Sequence, residues 1–253
     1  MNIGSFTKQF NFNPFLRGYV GVERESFITN RSGIIVPQAI AILEQLPNNG
    51  HYGYELSACQ LETRTEPCQN TTELRKALLS VHIPATVLAK TLGLKLFYIP
   101  VALDNMPLDV YPDPSGRYQA ITKKWSPDIL LAACRVAGTH IHLGVSNSDE
   151  AIRVYNNLVE HFEALVHTGN ISEGERLELY RLVAPDSTSI LYESWDYFYH
   201  NMMERGYAEN PRECRDLIRI SIHGTVEVRV FDSTPDIAKI VSWAEQILKW
   251  SKL

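Results

Sequence analysis

Two glutamates separated by one residue, Glu23 and Glu25, are the first side chains in this sequence whose type and spacing suggest chemistry. They lie in YVGVERESFIT, residues 19–29, where apolar and polar side chains alternate as in a strand with one buried face. Residues two apart on a strand project from the same face, so both carboxylates point the same way. Such a pair suits divalent cations bound through several oxygens, although an isolated pair is more often a solvated strand face.

Three further predicted strand segments repeat this alternation of apolar and charged or titratable side chains. The members are Glu62, Arg64 and Glu66 on 61–66, His140 and His142 on 135–145, and Glu227 and Arg229 on 225–231. If these strands share one sheet whose apolar face packs on helices, the other face becomes an acidic floor of carboxylates, imidazoles and arginines. Cations are needed there, because unpaired carboxylates removed from water cost several kcal/mol each.

The elements that must position this floor alternate between strands and helices along the chain. Helical spacing predicts helices over 36–46, 71–92, 150–167, 173–182, 195–205 and 237–250. A short strand is predicted over 95–101, a mobile lid over 104–116, a threonine cap before the second helix, and a tight turn at 223–224. Strands interrupted by helices and ending in a hairpin favour an α+β fold with an antiparallel sheet packed on helices.

Composition narrows the classes of partner. The 253 residues carry a net charge of -5 with scattered lysines and arginines, which argues against nucleic acid and membrane surfaces as partners. No signal peptide or membrane-length apolar run is visible, so we expect a cytoplasmic protein. The four cysteines form no CxxC pair and are predicted to be buried free thiols; the alternative is a redox or zinc role.

The ligand types also indicate a cofactor. Carboxylate oxygens with imidazole suit Mg²⁺ or Mn²⁺, and the sequence has no HExxH motif that would indicate a zinc hydrolase. Several such ions with arginines nearby form a setting for nucleotide phosphates. Since no GxxxxGK[ST] loop is present, metals and arginines would have to hold the phosphates.

Four motifs, in order, resemble those of the glutamate-cysteine ligase type 2 family: GVERESF, ELSACQLE, AGTHIHLGV and GTVEVRVFD. The segments ESWDYFYHNMMERG and DLIRIS are also similar to segments of that family, so the resemblance runs from about Tyr19 to Asp236. It implies a glutamine synthetase-like fold, in which a curved antiparallel sheet packed on helices forms a funnel floored by Mg²⁺. It also implies a carboxylate-amine ligase, in which ATP phosphorylates a carboxylate, usually the γ-carboxylate of glutamate, and an amine then displaces phosphate.

The resemblance assigns roles to particular residues. Arg229 would contact the transferring phosphate of ATP, and Arg219 would hold phosphate or the carboxylate of a substrate. His142 is placed near the nucleotide or the substrate. The residues implied as metal ligands are Glu23, Glu25, Glu55, Glu62, His140 and Glu227.

The sequence departs from the family pattern in three ways. Residues 1–253 are expected to form a single catalytic domain without the usual C-terminal helical extension, and a second subunit of a homo-oligomer could complete the funnel. Arg24 replaces a third acid in the first strand. Arg64 stands where an apolar or small residue is usual, either in an ion pair with Glu62 or Glu66 or as a clamp for a substrate carboxylate.

Two other functions remain open from the sequence. One is a catalytically silent homologue that binds a nucleotide or a partner, against which the retention of all six implied ligands argues. The other is a phosphotransferase of the guanidino kinase type. A ligase would use a small-molecule amino acid or other carboxylate and an amine, with ATP turnover that depends on both.

Overall fold

The computed structural model describes residues 1–253, and at its centre seven strands form one sheet. The strands are β1 (Val20–Asn30), β2 (Tyr52–Tyr54), β3 (Gln60–Arg64), β4 (Leu94–Phe97), β5 (Gly138–Gly144), β6 (Ile218–Ser221) and β7 (Thr225–Asp232). Their order is β2-β3-β1-β5-β7-β6, and β4 also pairs with β1. Every pair is antiparallel, which confirms the predicted α+β class with an antiparallel sheet.

Helices cover one face of this sheet, the back, and border the other, the front. They are α1 (Ile3–Thr7), α2 (Ala39–Leu43), α3 (Thr71–Thr91), α4 (Arg117–Thr122), α5 (Pro127–Arg135), α6 (Ser148–Val159), α7 (Phe162–Gly169), α8 (Glu175–Val183), α9 (Trp195–Glu204) and α10 (Ile237–Ser251). Helices α3, α6, α7 and α10 pack on the back, whereas α4, α5 and α8 border the front. No helix combines the length and the apolar character that crossing a membrane requires.

Several predicted elements differ from the observed ones for local reasons. The helix predicted over 150–167 is two helices, α6 and α7, because the backbone leaves helical geometry at His161. Helix α3 is capped by the side chain of Asn70, which accepts the N–H of Glu73, and not by a threonine. Strand β2 and helix α4 were not predicted, since three and six residues are too few to show a period. Helix α5 was also missed, because its apolar residues run into the next strand without a break.

The two faces of the sheet follow from alternation along the strands. On β1, Val20 and Val22 are buried against the back helices, and Ile141 on β5 and Val228 on β7 join the same core. Burying each aliphatic side chain contributes about 1.5–3 kcal/mol to stability, so these side chains determine which face of each strand packs against the helices. The residues that alternate with these buried ones along the strands, including Glu23, therefore project from the front.

Arg24 follows the same alternation, although it is a charged residue, and its side chain projects from the back of the sheet. Arg24 is 1% exposed, and its guanidinium stacks on the ring of Tyr98 at 3.7 Å and donates to the carbonyl of Thr234 at 2.7 Å. Burial lowers the pKa of Arg24, and Tyr98 opposes that effect. The arginine at the position of the family's third acid therefore belongs to the back of the sheet and not to the acidic floor.

A bulge in β7 changes the alternation near the site. The register between β5 and β7 shifts between Thr139 and Ile141, which leaves Arg229 and Val230 together opposite His140. Beyond the bulge, Phe231 turns to the back and stacks on Trp243 of α10, with ring centroids 4.7 Å apart. The bulge thus lets β7 keep Arg229 at the front while its next residues return to the core.

All four cysteines are buried and free, as predicted: Cys59, Cys68, Cys134 and Cys214. Burial raises the pKa of the Cys59 thiol to about 11 and that of the Cys134 thiol to about 12. Thiols with such pKa values stay protonated near neutral pH and are poor nucleophiles and poor metal ligands.

Gly224, in the turn between β6 and β7, has a backbone conformation and a packing that only glycine satisfies. Its φ is +72°, and a Cβ there would lie 2.1 Å from the carbonyl oxygen of Asn11. We expect Gly224→Ala to reduce the free energy of unfolding by about 2 kcal/mol or more. Gly33→Ala is the matched control, because Gly33 has a φ of +82° but nothing within 4 Å of its Cβ position. Urea unfolding should show a loss of only about 1 kcal/mol for Gly33→Ala, and equal losses would exclude the clash.

Candidate active site

The acidic floor lies on the front of four adjacent strands, β3, β1, β5 and β7. Strand pairing places Glu23 between Arg64 on β3 and His140 on β5. Two residues further along β1, Glu25 lies opposite Glu62. Directly opposed residues have Cβ atoms about 5 Å apart, so the register brings together side chains that are far apart in sequence.

On the other side of the floor, one carboxylate holds two arginines. Glu227 on β7 lies opposite His142 on β5 and Arg219 on β6. It is fully buried, and it accepts hydrogen bonds from Arg219 at 2.7 Å and from Arg229 at 2.5 Å. The two arginines that the sequence associates with phosphate are therefore tied to a single carboxylate at the edge of the floor.

Six side chains form two sets that could each hold a cation. Within each set, one ligand atom from each residue lies within 4.8 Å of those of the others. The first set is Glu23, His142 and Glu227, and the second set is Glu25, Glu55 and Glu62. Glu55 lies in the segment between β2 and β3 rather than on a strand, yet it reaches the same cavity. All five glutamates that the sequence predicts as ligands thus fall into one set or the other.

The two histidines occupy different positions on the floor, and their predicted roles stay predictions. His142, predicted near nucleotide or substrate, completes the first set with its Nε2 atom 3.5 Å from Glu23. His140, predicted as a ligand, lies between the sets, with Nδ1 3.5 Å from Glu23 and Nε2 3.5 Å from Glu25. Their spacing in GTHIHLG does not distinguish the two positions, since both face the front.

Imidazole nitrogens without partners show that the floor fits a cation. His142 Nδ1 lies 2.9 Å from the hydroxyl of Thr225, which directs Nε2 towards Glu23 and Glu227. That Nε2 atom and the Nδ1 atom of His140 are both buried without a hydrogen-bond partner. Buried polar atoms are rarely left unpaired, and carboxylates with imidazole are ligands for Mg²⁺ or Mn²⁺. The donor set therefore fits the predicted metal.

Charges at the first set are mutually stabilised. Burial acts to raise the pKa of Glu23, but the imidazoles of His142 and His140 outweigh it and hold that pKa well below the usual range. Burial of Glu227 is likewise outweighed by Arg219 and Arg229, which hold its pKa far below the ordinary value. Both carboxylates are therefore ionised at neutral pH.

Charges at the second set oppose one another. Burial raises the pKa of Glu62 well above the usual range, and the nearby carboxylates of Glu23 and Glu55 add to the effect. Burial also raises the pKa of Glu25, against the opposing influence of His140. A divalent cation there would relieve a repulsion that the neighbouring cationic side chains compensate only in part.

Arg64 projects from β3 into this second set. It forms an ion pair with Glu62 and lies 4.0 Å from Glu23. Glu66, the other partner considered from the sequence, lies beyond the end of β3, with its carboxylate 73% exposed and 3.4 Å from His51. The geometry supports the ion-pair alternative with Glu62 as the partner, and a clamp for a substrate carboxylate stays a prediction.

A cavity of about 530 Å³ rises above the floor, and much of its wall was not predicted. Helix α4 and the residues after it contribute Tyr118 and Trp125, and Arg215 stacks over Trp125 at 5.3 Å. His223, expected to be merely a turn residue, lies at the rim with its ring 6.4 Å from that of His142. These residues come from loops and short helices, where no periodic pattern marks a role.

Arg176, from α8, is a further residue that the sequence did not indicate. Its guanidinium lies against Gly138 on β5, where a Cβ would be 2.2 Å from it, and 3.9 Å from the carboxylate of Asp232. Asp232 in turn accepts the backbone N–H groups of Ile171 and Ser172. That carboxylate secures the start of α8 and holds Arg176 over the front of β5.

The segment 104–116, predicted as a mobile lid, is anchored by Asp113. This carboxylate accepts hydrogen bonds from Ser115, from the N–H of Arg117 and from the hydroxyl of Tyr54. Burial acts to raise its pKa, but these bonds outweigh burial and lower it to about 2. The stabilisation is therefore present above the ordinary pKa near 3.8 and is lost as the pH falls through about 2.

We expect Asp113→Ala to reduce the free energy of unfolding by about 1–2 kcal/mol and to loosen the entry to α4. Hydrogen exchange should accelerate at the amides of Ser115 and Arg117. Asp104→Ala is the control, because Asp104 is exposed and forms no ion pair. Unchanged exchange at both amides would show that Asp113 does not anchor the segment.

The sheet and the helices packed on it have the fold of solved glutathione synthetase and glutamate–cysteine ligase structures. A bifunctional glutathione synthetase from Pasteurella multocida superposes with a TM-score of 0.62 at 13% identity, covering 94% of this chain and 39% of that one. A glutamate–cysteine ligase from Francisella tularensis, solved with AMP, gives 0.59 at 15% identity, covering 95% and 68%. At these identities the likeness shows a shared fold.

The chain belongs to glutamate-cysteine ligase family 2, whose model matches residues 19–166. A Mycolicibacterium smegmatis protein, provisionally named glutamate–cysteine ligase 2-3, is 33% identical over 143 residues, 54% of this chain and 38% of that protein. A Thermobifida fusca protein, provisionally named glutamate–cysteine ligase 2, is 25% identical over 256 residues, 90% of this chain and 62% of that protein. The chain thus spans less than two thirds of the length of these curated relatives.

Proposed function

We propose that this protein is an ATP- and Mg²⁺-dependent carboxylate-amine ligase of the glutamate–cysteine ligase type, acting through an acyl phosphate. The observation that carries the proposal is the pairing of two cation-binding sets on one floor with arginines along its edge and wall. Phosphoryl transfer requires positioning and neutralisation of charge rather than a covalent nucleophile. Membership of the family supports the same reaction class.

We assign different roles in the reaction to different side chains on the floor. We assign Mg²⁺ binding to the first and second sets, with His140 between them as a shared partner. Mg²⁺ bound there would supply positive charge against the phosphate oxygens of ATP. Arg229 and Arg219 lie at the edge of the first set, where their guanidinium groups would hold the transferring phosphate and a substrate carboxylate.

Three arginines on the wall support a cavity that binds several anionic groups. Arg117, Arg212 and Arg215 line it, and none has a carboxylate within ion-pair distance. Guanidinium groups bind phosphate and carboxylate in bidentate fashion, so ATP and an acidic substrate would both find partners. This excess of cations opposite an acidic floor fits a bound metal–nucleotide complex better than it fits a neutral ligand.

The reaction proposed is a two-step displacement. A carboxylate oxygen of the substrate attacks the γ-phosphorus of ATP, the bond from that phosphorus to the oxygen of ADP breaks, and an acyl phosphate forms. An amine then attacks the acyl carbon, and the carbon–oxygen bond to phosphate breaks. Tyr118 and Trp125 would cover the cavity and keep water from the acyl phosphate.

The proposal is tested by incubating the protein with MgATP, glutamate and a panel of amino acids as amines. ATP turnover should depend on both the carboxylate and the amine, and mass spectrometry should detect an amide. ADP release without an amide, together with phosphorylation of a guanidino acceptor, would favour the phosphotransferase instead. Nucleotide binding without turnover for any pair would favour the silent homologue.

A further inference from the structure

Arg64 is a fixed cation inside a site that otherwise consists of carboxylates. The register of β1 with β3 sets it directly opposite Glu23, and Glu62 lies two residues before it on the same face of β3. Burial acts to lower the pKa of Arg64, but the carboxylates of Glu62, Glu23 and Glu55 outweigh it and raise that pKa. The guanidinium thus faces members of both cation-binding sets.

The neighbouring strand leaves room for this guanidinium. Gly53 on β2 pairs with Glu62, and a Cβ at Gly53 would lie 2.6 Å from an Nη atom of Arg64 and 2.9 Å from its Cζ atom. The φ of Gly53 is not in the left-handed region, so its backbone does not require glycine. The small residue at this position is therefore explained by the space that Arg64 occupies.

The contact with Glu62 has a chemical consequence. Glu62 is only 4% exposed and its carboxylate is one of the three that could hold a cation in the second set. A guanidinium and a divalent cation bound to the same carboxylate lie close together, and their like charges repel at short distance. A metal entering the second set therefore binds against the charge of Arg64 unless that side chain moves away from Glu62.

We propose that Arg64 is a built-in competitor for the second metal position, neutralising Glu62 and raising the metal concentration needed to fill that position. This role for Arg64 rests on the proposed function in one respect, which is that the second set binds a divalent cation. The Glu62 contact would make the dependence of the enzyme on free Mg²⁺ a property of one side chain. A second consequence is that Arg64 stabilises the fold when divalent cations are scarce.

The test is a Mn²⁺ titration of the purified protein followed by electron paramagnetic resonance, which counts bound ions. Arg64→Met should bind the ion at the second set about tenfold more tightly than the unmodified protein. The Arg64→Met variant should also melt at a lower temperature than the unmodified protein in EDTA, and its melting temperature should rise again when Mg²⁺ is added. Arg75→Met, which removes an exposed arginine of α3 without an ion pair, should change neither property.

Gly53→Ala provides a variant that keeps the positive charge. The three atoms nearest to the added methyl group all belong to the Arg64 guanidinium, so this group should move off Glu62 and metal binding should tighten. Adding Glu62→Gln to Arg64→Met should abolish the gain, which places the effect at the second set. Unchanged Mn²⁺ binding in both Arg64→Met and Gly53→Ala would overturn the proposal.

The outcomes separate this inference from the others. If Arg64 is only a substrate clamp, Arg64→Met raises KM for the carboxylate and leaves the Mn²⁺ titration unchanged. If the protein binds Mn²⁺ with the expected competition but forms no amide, the ligase proposal fails and the role of Arg64 stands. If amide forms but the titrations do not differ, only the role of Arg64 fails.

Discussion

Glu227→Gln is expected to lower Mg²⁺-dependent ATP turnover by about a thousandfold or more and to destabilise the fold by about 3 kcal/mol. Glu227 is fully buried and is the carboxylate partner of both Arg219 and Arg229. A neutral amide would leave two guanidinium groups without a counter-ion and would remove one ligand of the first set. Activity and stability should therefore fall together.

Turnover assays at saturating Mg²⁺ and urea unfolding in EDTA measure the two effects separately. Glu178→Gln serves as the control, since Glu178 is exposed on α8 and outside the cavity. Turnover of Glu227→Gln within tenfold of the unmodified protein would show that the floor is not the metal site. Full stability with lost turnover would show that the two arginines find other partners.

Glu23→Ala is expected to reduce ATP turnover by a similar factor, about a thousandfold, while changing the free energy of unfolding by no more than about 1 kcal/mol. Glu23 lies 3.5 Å from His140 and from His142, so its loss removes a favourable partner of each imidazole. The same loss relieves the repulsion that raises the pKa of Glu62. These opposing effects should nearly cancel in stability but not in metal binding.

Mn²⁺ affinity, ATP turnover and urea unfolding should be measured on the same preparation of Glu23→Ala. Weaker Mn²⁺ binding with an intact unfolding transition is the expected pattern. Glu66→Ala is the matched control, because Glu66 is an exposed glutamate beyond the end of β3. A Glu23→Ala variant that kept normal Mn²⁺ affinity would remove Glu23 from the first set.

The membership of the acidic floor was largely predictable because strand alternation is a local property. A strand that buries Val20 and Val22 must expose Glu23 and Glu25 on its other face, whatever the rest of the chain does. The same reasoning held for β3, β5 and β7 and confirmed the antiparallel α+β class. Arg24 follows the same alternation: because it lies between two glutamates that project from the front of β1, its side chain projects from the back.

How these residues are grouped was not predictable in the same way. Register sets Glu25 opposite Glu62 and His142 opposite Glu227, and register depends on hydrogen bonds between distant segments. A local pattern cannot distinguish His140 from His142, because both lie on one face of one strand. Only the pairing of β5 with β7, with its bulge beside His140, decides which imidazole completes the first set.

The wall above the floor depends still more on tertiary structure. Arg117, Arg176 and Arg215 come from α4, from α8 and from the loop before β6, and they converge on one cavity only when the helices pack. Residue types and alternation by themselves determined that this protein has an acidic sheet face with histidines and arginines, since side-chain direction along a strand is local. Only the tertiary structure decided which cationic side chain lies against which carboxylate, as Arg64 lies against Glu62. The reason is that charge neutralisation depends on distances in space, and these are set by the pairing of strands far apart in sequence.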